Sequence, residues 1–139
     1  MRMNISVVFD KDEQNILMCL RSKDPYKGLY NLNGGKIEPN EGDLESAYRE
    51  LFEETGISDK DIKLIHFMDF NYLMSGHELQ VYVGKLNKSV ELKEEQNKLS
   101  WHSIEENFFD MAKFAGEGNI GHIIENVKFY KRKLFNDGE

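Results

Sequence analysis

The stretch Gly34-Gly35-Lys36-Ile37-Glu38-Pro39-Asn40-Glu41-Gly42-Asp43-Leu44-Glu45-Ser46-Ala47-Tyr48-Arg49-Glu50-Leu51-Phe52-Glu53-Glu54-Thr55-Gly56-Ile57 decides how the rest of the chain is read. Two glycines open it, and they predict a sharp turn that brings the backbone close to a ligand. A helix follows, because Leu44, Ala47, Tyr48 and Leu51 recur at three- and four-residue steps and form one buried stripe. Asp43 is the expected N-cap and Gly56 the expected stop, which bounds the helix at about 43–55. Glu50, Glu53 and Glu54 gather on another face, where like charges at this spacing each cost an isolated helix about 0.2–0.5 kcal/mol. Crowded carboxylates want a cation, and oxygen ligands suit a hard divalent metal that keeps its other positions for water and substrate phosphates. Arg49, one turn before Glu53, is placed to pair with it and hold that carboxylate.

A chain of 139 residues suits one domain, residues 1–139, with a real core. Its formal charge is −7, from 25 acidic and 18 basic residues, which argues against a nucleic-acid polymer as partner because such proteins usually carry a basic stripe. A phosphorylated metabolite remains compatible with that charge if metal ions bridge the two anions. The one cysteine, Cys19, excludes an intrachain disulfide and falls in an apolar run, as a small core hydrophobe does. No run reaches the ~18 apolar residues of a membrane helix, and the N-terminal apolar segment is too short for a signal peptide, so a soluble cytoplasmic protein is expected.

Along the chain, Ile5 to Phe9 and Ile16 to Arg21 read as strands of a hairpin around a polar turn. Residues 22–28 read as a loop, and Leu29 to Leu32 as a short strand leading to the glycines. Ile62 to Leu73 and Glu78 to Leu86 form a second hairpin around Met74-Ser75-Gly76-His77. Ser103-Ile104-Glu105-Glu106 has the form of a capping box and predicts a short helix. From Asn119 onward Ile120, Ile123, Ile124, Val127 and Leu134 keep helical spacing, and basic residues fill the last turns, where they suit the helix dipole. Strands and helices mix without regular alternation, which predicts an α/β fold with a mixed sheet and helices packed on it.

An isolated Glu-x-x-Glu-Glu is usually a solvated helix face. The whole stretch is more than that, because it resembles the Nudix box of the Nudix hydrolases. Gly35, Glu41, Arg49, Glu50, Leu51, Glu53, Glu54, Gly56 and Ile57 fill every fixed position without a gap. With common residue types near 5–10% each, seven single-residue matches at fixed spacing arise by chance about once in ten million starts or more rarely. The resemblance implies an α/β/α sandwich around a mixed sheet, with the box as a loop-helix-loop. It also implies hydrolysis of a diphosphate linkage in a small nucleotide by water, with Mg²⁺ or Mn²⁺ bound. Glu50, Glu53 and Glu54 are then the metal ligands, with the carbonyl of Gly34 as a further one, and the general base is Glu50 or Glu53. Arg49 belongs to the same catalytic group.

Nudix enzymes often add a carboxylate from a later loop. Glu95, six residues before Trp101, has the spacing of MutT-like enzymes, and Glu94 is the alternative. Upstream, Tyr30-Asn31 before Gly34-Gly35-Lys36 resembles the MutT-like and oxidised-purine-nucleoside-triphosphatase branch, where the amide at Asn31 can read a purine edge. The competing use of Asn31 is a bond to its own backbone. Gly35 and Lys36 are candidate substrate contacts, and Glu117 and Asn119 are candidates near the base, although Asn119 is also a good N-cap. Asn33 and Asn40 depart from the common Pro and Gly of relatives. All four histidines read as structural. The expected activity is conversion of a nucleoside triphosphate, with oxidised purines such as 8-oxo-dGTP first, to monophosphate and pyrophosphate by a monomer or homodimer. An ADP-sugar or dinucleotide polyphosphate pyrophosphatase shares the box and is the alternative. A non-catalytic nucleotide sensor usually loses box glutamates, and RNA decapping sits poorly with the acidic charge.

Overall fold

Successive side chains in the central strands are buried without a break, and because neighbours point to opposite faces, two covering layers are needed. The computed structural model describes residues 1–72 and 76–135. Strand β1 (Arg2–Phe9) and β2 (Asn15–Leu20) are the expected hairpin, and β3 (Tyr30–Asn31) and β4 (Asn33–Lys36) follow. Helix α1 (Asp43–Thr55), strands β5 (Ile65–Tyr72), β6 (His77–Lys85) and β7 (Lys98–Ser103), and helix α2 (Asn119–Phe135) complete the order. The second hairpin pairs antiparallel with a register shift between His66 and Met68, and residues 73–75 at its expected turn lie outside the described residues.

Strand order is β3-β2-β1-β6-β5, with β4 on β1 and β7 on β2. The sheet is mixed, because β1 and β6 run parallel from Arg2↔Glu78 to Phe9↔Lys85 while the other pairs are antiparallel. Successive strand side chains point to opposite faces. Val7, Phe9, Ile16, Met18, Val81 and Val83 therefore meet Ile120, Ile123, Ile124 and Val127 of α2 in one core. Val8, Leu17 and Tyr82 meet Ala47 and Leu51 of α1 in the other. Both faces of the central strands are covered, which is the expected three-layer arrangement.

Five local expectations need correction. The double glycine is not a turn: Gly34 and Gly35 lie in β4, paired with Ile5 and Asn4 of β1. Their lack of a side chain serves packing, since a Cβ on Gly34 would overlap the Asn4 carbonyl oxygen and one on Gly35 the Glu50 carboxylate. Asp43 is the first helical residue and Gly42 the N-cap, with the Glu45 carboxylate accepting the Gly42 N–H at 3.1 Å. Asp43 is drawn instead to Arg2 of β1, whose Nη2 donates to both carboxylate oxygens at 2.8 Å. Leu44 is 46% exposed, and the helix buries Ser46, Ala47, Leu51 and Thr55 because Asn4 beneath it donates to the Ser46 hydroxyl. No helix follows Ser103, because the Glu106 carboxylate that would close the capping box is taken by His102 and Lys113, and residues 104–113 form turns. Asn119 likewise opens α2 as a helical residue and not as its cap, and its N–H goes to the Gly116 carbonyl.

Gly56 ends α1 as expected, in the left-handed region at φ 80°, with its N–H on the Phe52 carbonyl. Cys19 is buried, and burial pushes its thiol up to about 11, which leaves an inert core group. Among the described residues no helix is long and apolar enough to cross a membrane.

Candidate functional site

Helix α1 carries its glutamates against the grain of its own dipole. Its last turn contains no basic residue, although a helix C-terminus favours cations. Arg49 supplies the positive charge from one turn earlier. Its Nε and Nη2 donate to the two oxygens of Glu41, at 2.8 and 2.6 Å, and Nη2 also donates to the Lys36 carbonyl at 3.1 Å. Nη1 lies 2.7 Å from Glu53 Oε1 and 3.0 Å from Glu50 Oε1. The guanidinium thus ties the loop before the helix to two of the clustered carboxylates, a fork geometry that lysine could not reproduce. This pair with Arg49 holds the Glu41 carboxyl down at about 2, and Glu41 in turn holds the Arg49 guanidinium above its ordinary value.

Glu50 and Glu54 sit in a different environment. Glu50 lies over Gly35, where only a glycine leaves room for the carboxylate. Glu54 Oε1 accepts the Gly34 N–H at 2.9 Å. Burial raises both carboxyls, and for Glu54 it does so to about 7 against the help of the Gly34 N–H, with the nearby Glu50 charge adding to the rise. Both groups therefore pay for their negative charge without full compensation, which is the condition a bound dication relieves.

Glu50, Glu53 and Glu54 line one cavity of about 630 Å³, and Glu95 lines it too. The loop that carries Glu95 is held by its neighbours. The Lys93 N–H donates to the Thr55 carbonyl at the end of α1, Glu94 Oε2 accepts the Leu99 N–H at 2.8 Å, and Asn97 Oδ1 accepts the Ser22 hydroxyl at 2.8 Å. Glu94 is occupied in shaping the loop, and Glu95 is exposed and shares the cavity lining with the glutamates of α1. All four donors are carboxylates, a set suited to a hard divalent ion. Among the described residues, no three histidines, cysteines or carboxylates converge on one point as a finished metal cage. The residues present fit a hydrated ion held by a few carboxylates better than a closed protein cage.

The remaining expected site residues lie elsewhere. Asn31 stands at the sheet edge where Tyr30 bridges to Phe114, and its Oδ1 accepts the Leu32 N–H at 2.8 Å. The chain passes from Ala115, whose N–H donates to the Tyr30 carbonyl, into Glu117 and Asn119, both exposed. Glu117 has φ 55°, so it belongs to a tight turn before α2. Lys36 is exposed at the end of β4. None of Asn31, Gly35, Lys36, Glu117 and Asn119 lines the carboxylate cavity. Sequence reasoning did not single out Phe52, Gln96 and Asn97, which line it, and treated Asn33 only as a departure from relatives. For Asn33 the available signal was an amide inside an otherwise close-packed strand, where polar side chains are uncommon.

His102 is buried among aromatic rings, 4.5 Å from Tyr30 between ring centres, and bonded to Ser100 and Glu106, a structural role as expected.

The NUDIX domain model matches residues 2–125. The NAD-capped RNA hydrolase NPY1 of Saccharomyces cerevisiae is 34% identical over 106 residues, covering 70% of this chain and 28% of that protein. YtkD of Bacillus subtilis, provisionally named an 8-oxo-dGTP diphosphatase, is 31% identical over 93 residues, covering 62% of this chain and 56% of that one. The chain thus spans well under two thirds of either relative. A C. elegans Ap4A hydrolase crystal structure superposes with a TM-score of 0.74 at 18% identity, covering 93% of this chain and 97% of its own, a likeness of fold.

Proposed function

Since the chain belongs to the NUDIX domain family, whose members are pyrophosphatases acting on phosphoanhydride bonds and generally use divalent metal ions, we propose that it hydrolyses the diphosphate linkage of a small nucleotide. The preferred substrate is a nucleoside triphosphate, with oxidised purines such as 8-oxo-dGTP first, and the products are the monophosphate and pyrophosphate. The observation that carries this reading is the gathering of Glu50, Glu53, Glu54 and Glu95 around one cavity, with Arg49 bracing two of them.

Glu50, Glu53 and Glu54 hold Mg²⁺, or Mn²⁺ in its place, with the Gly34 carbonyl and Glu95 as further ligands. Such an ion neutralises phosphate oxygens and lowers the pKa of a bound water. Glu50 or Glu53 takes the proton of the attacking water. Arg49 keeps both carboxylates in place. Asn31, Glu117 and Asn119 bind the nucleobase outside that cavity, and Gly35 and Lys36 are further substrate contacts. The similarity to YtkD supports the oxidised-purine preference.

The test is a panel of nucleotides with Mg²⁺ in which the products are identified. Monophosphate and pyrophosphate from a triphosphate are expected. Release of a sugar phosphate from an ADP-sugar, without triphosphate cleavage, would replace this substrate class with the other. Tight nucleotide and metal binding without any turnover would overturn the enzymatic reading in favour of a sensor.

A further inference from the structure

Among the described residues, two side chains carry buried polar atoms without a hydrogen-bond partner, Asn4 and Asn33. Asn4 uses its Nδ2 on the Ser46 hydroxyl at 3.0 Å and lies away from the carboxylate cavity. Asn33 uses neither atom. It is 1% exposed, its Oδ1 and Nδ2 both lack partners, and it lines the cavity with Glu50, Glu54 and Glu95. Native proteins rarely bury an amide this way, and each such group calls for an explanation.

The local geometry says what the amide faces. Side chains two apart on a strand share a face, so Asn33 projects on the same side of β4 as Gly35, which lies under Glu50. Two strand residues advance about 6.7 Å and four helical residues about 6 Å, so stepping back from Gly35 to Asn33 matches stepping on from Glu50 to Glu54. The Gly34 N–H on Glu54 Oε1 fixes that register. Asn33 thus stands in the cavity wall beside Glu54 and not at the sheet edge that carries Asn31.

We propose that Asn33 is a binding residue for the phosphate chain: its Nδ2 donates to a phosphate oxygen, and its Oδ1 accepts from a water of the ion's hydration shell. The proposal rests on the pyrophosphatase reading above and adds a neutral contact among the carboxylates. An amide can do both jobs because it carries a donor and an acceptor. A carboxylate there would add repulsion toward phosphate, and an aliphatic side chain would offer neither bond.

Equilibrium binding and thermal melts of purified wild type, Asn33→Leu and Asn33→Asp provide the test, using Mn²⁺ alone and Mn²⁺ with an imido-linked, uncleavable nucleoside triphosphate. Wild type binds the metal-analogue complex. Asn33→Leu loses tenfold or more of that affinity, as expected for a lost hydrogen bond to a charged group, while melting without ligand at or above the wild-type temperature. Asn33→Asp, which keeps the shape of the side chain, holds Mn²⁺ alone at least as well as wild type but binds the complex at least tenfold more weakly. Wild-type affinity for the complex in Asn33→Asp overturns the proposal, and so does a lower melting temperature in Asn33→Leu with unchanged affinity. If wild type itself fails to bind the complex, the pyrophosphatase reading falls and this proposal with it.

Discussion

The two ends of helix α1 differ in how they treat negative charge. At the N-terminal end Asp43 accepts from Arg2 and from Gln80, and these bonds hold its carboxyl below the ordinary range. Arg2 reaches on to Glu78 of β6, so the pair ties the helix start to the parallel strands beneath it. Negative charge there also suits the helix dipole. At the C-terminal end Glu50 and Glu54 are raised by burial, and the dipole opposes them. Paired, lowered carboxyls hold the fold together. Raised, under-compensated ones beside a cavity mark where a sequence has given up stability, and such local conflicts cluster at functional sites.

The largest expected effect would come from removing a charge at the C-terminal end. Glu53→Gln should lower kcat by about 10²–10⁴-fold, a typical range for loss of a positioned acid or base, with little change in melting temperature, because Glu53 is largely exposed. A wild-type rate in that variant, measured as pyrophosphate release, would break the comparison. Gly34→Ala should cost about 1–3 kcal/mol of stability in denaturant unfolding, since the added methyl would force β4 away from the Asn4 carbonyl. Gly35→Ala separates the two kinds of effect, because its methyl meets the Glu50 carboxylate. It should lower turnover more than stability.

A pH series sharpens the contrast. The Glu54 carboxyl, at about 7 when folded against an ordinary 4.5, binds its proton more tightly in the folded chain. Its contribution is therefore present at low pH and lost as pH rises from about 5 to 8, by at most about 3 kcal/mol in the metal-free protein. Glu54→Gln should flatten that decline in chemical denaturation, and a steepened decline would refute the assignment. The smallest effect belongs to the N-terminal end. Arg2→Ala should lower stability only slightly in the same denaturation series, because exposed ion pairs contribute little, and leave turnover unchanged.

Different parts of the molecule were legible in the sequence for different reasons. The heart of β1, Val7 to Phe9, could be read as a short unbroken apolar run, and the α2 stripe from Ile120 to Val127 because burial there follows the helical period. The C-terminal stop at Gly56 could be read because left-handed geometry favours glycine. The span of α1 was read as observed, but its N-cap was misplaced by one residue, since Gly42 and Asp43 can both cap a helix and Arg2, some forty positions earlier, decided between them. The capping box at Ser103 failed for the same reason, because His102 and Lys113 competed for Glu106. The double glycine was read as a turn, whereas its cause is the close approach of β1 and of the Glu50 side chain.

By itself the amino-acid order determined the spacing of Arg49, Glu50, Glu53 and Glu54 on one helix, the mixture of strands and helices, and membership in a family defined by that spacing. These depend on separations along the chain, which local geometry converts directly into shared faces. Only the tertiary structure decided that the loop at residues 93–97 docks on the end of α1 and brings in Glu95, that Asn31, Glu117 and Asn119 lie outside the cavity, and that Asn33 is buried in its wall without a partner. Those outcomes depend on contacts between residues far apart in sequence, and no periodicity records them.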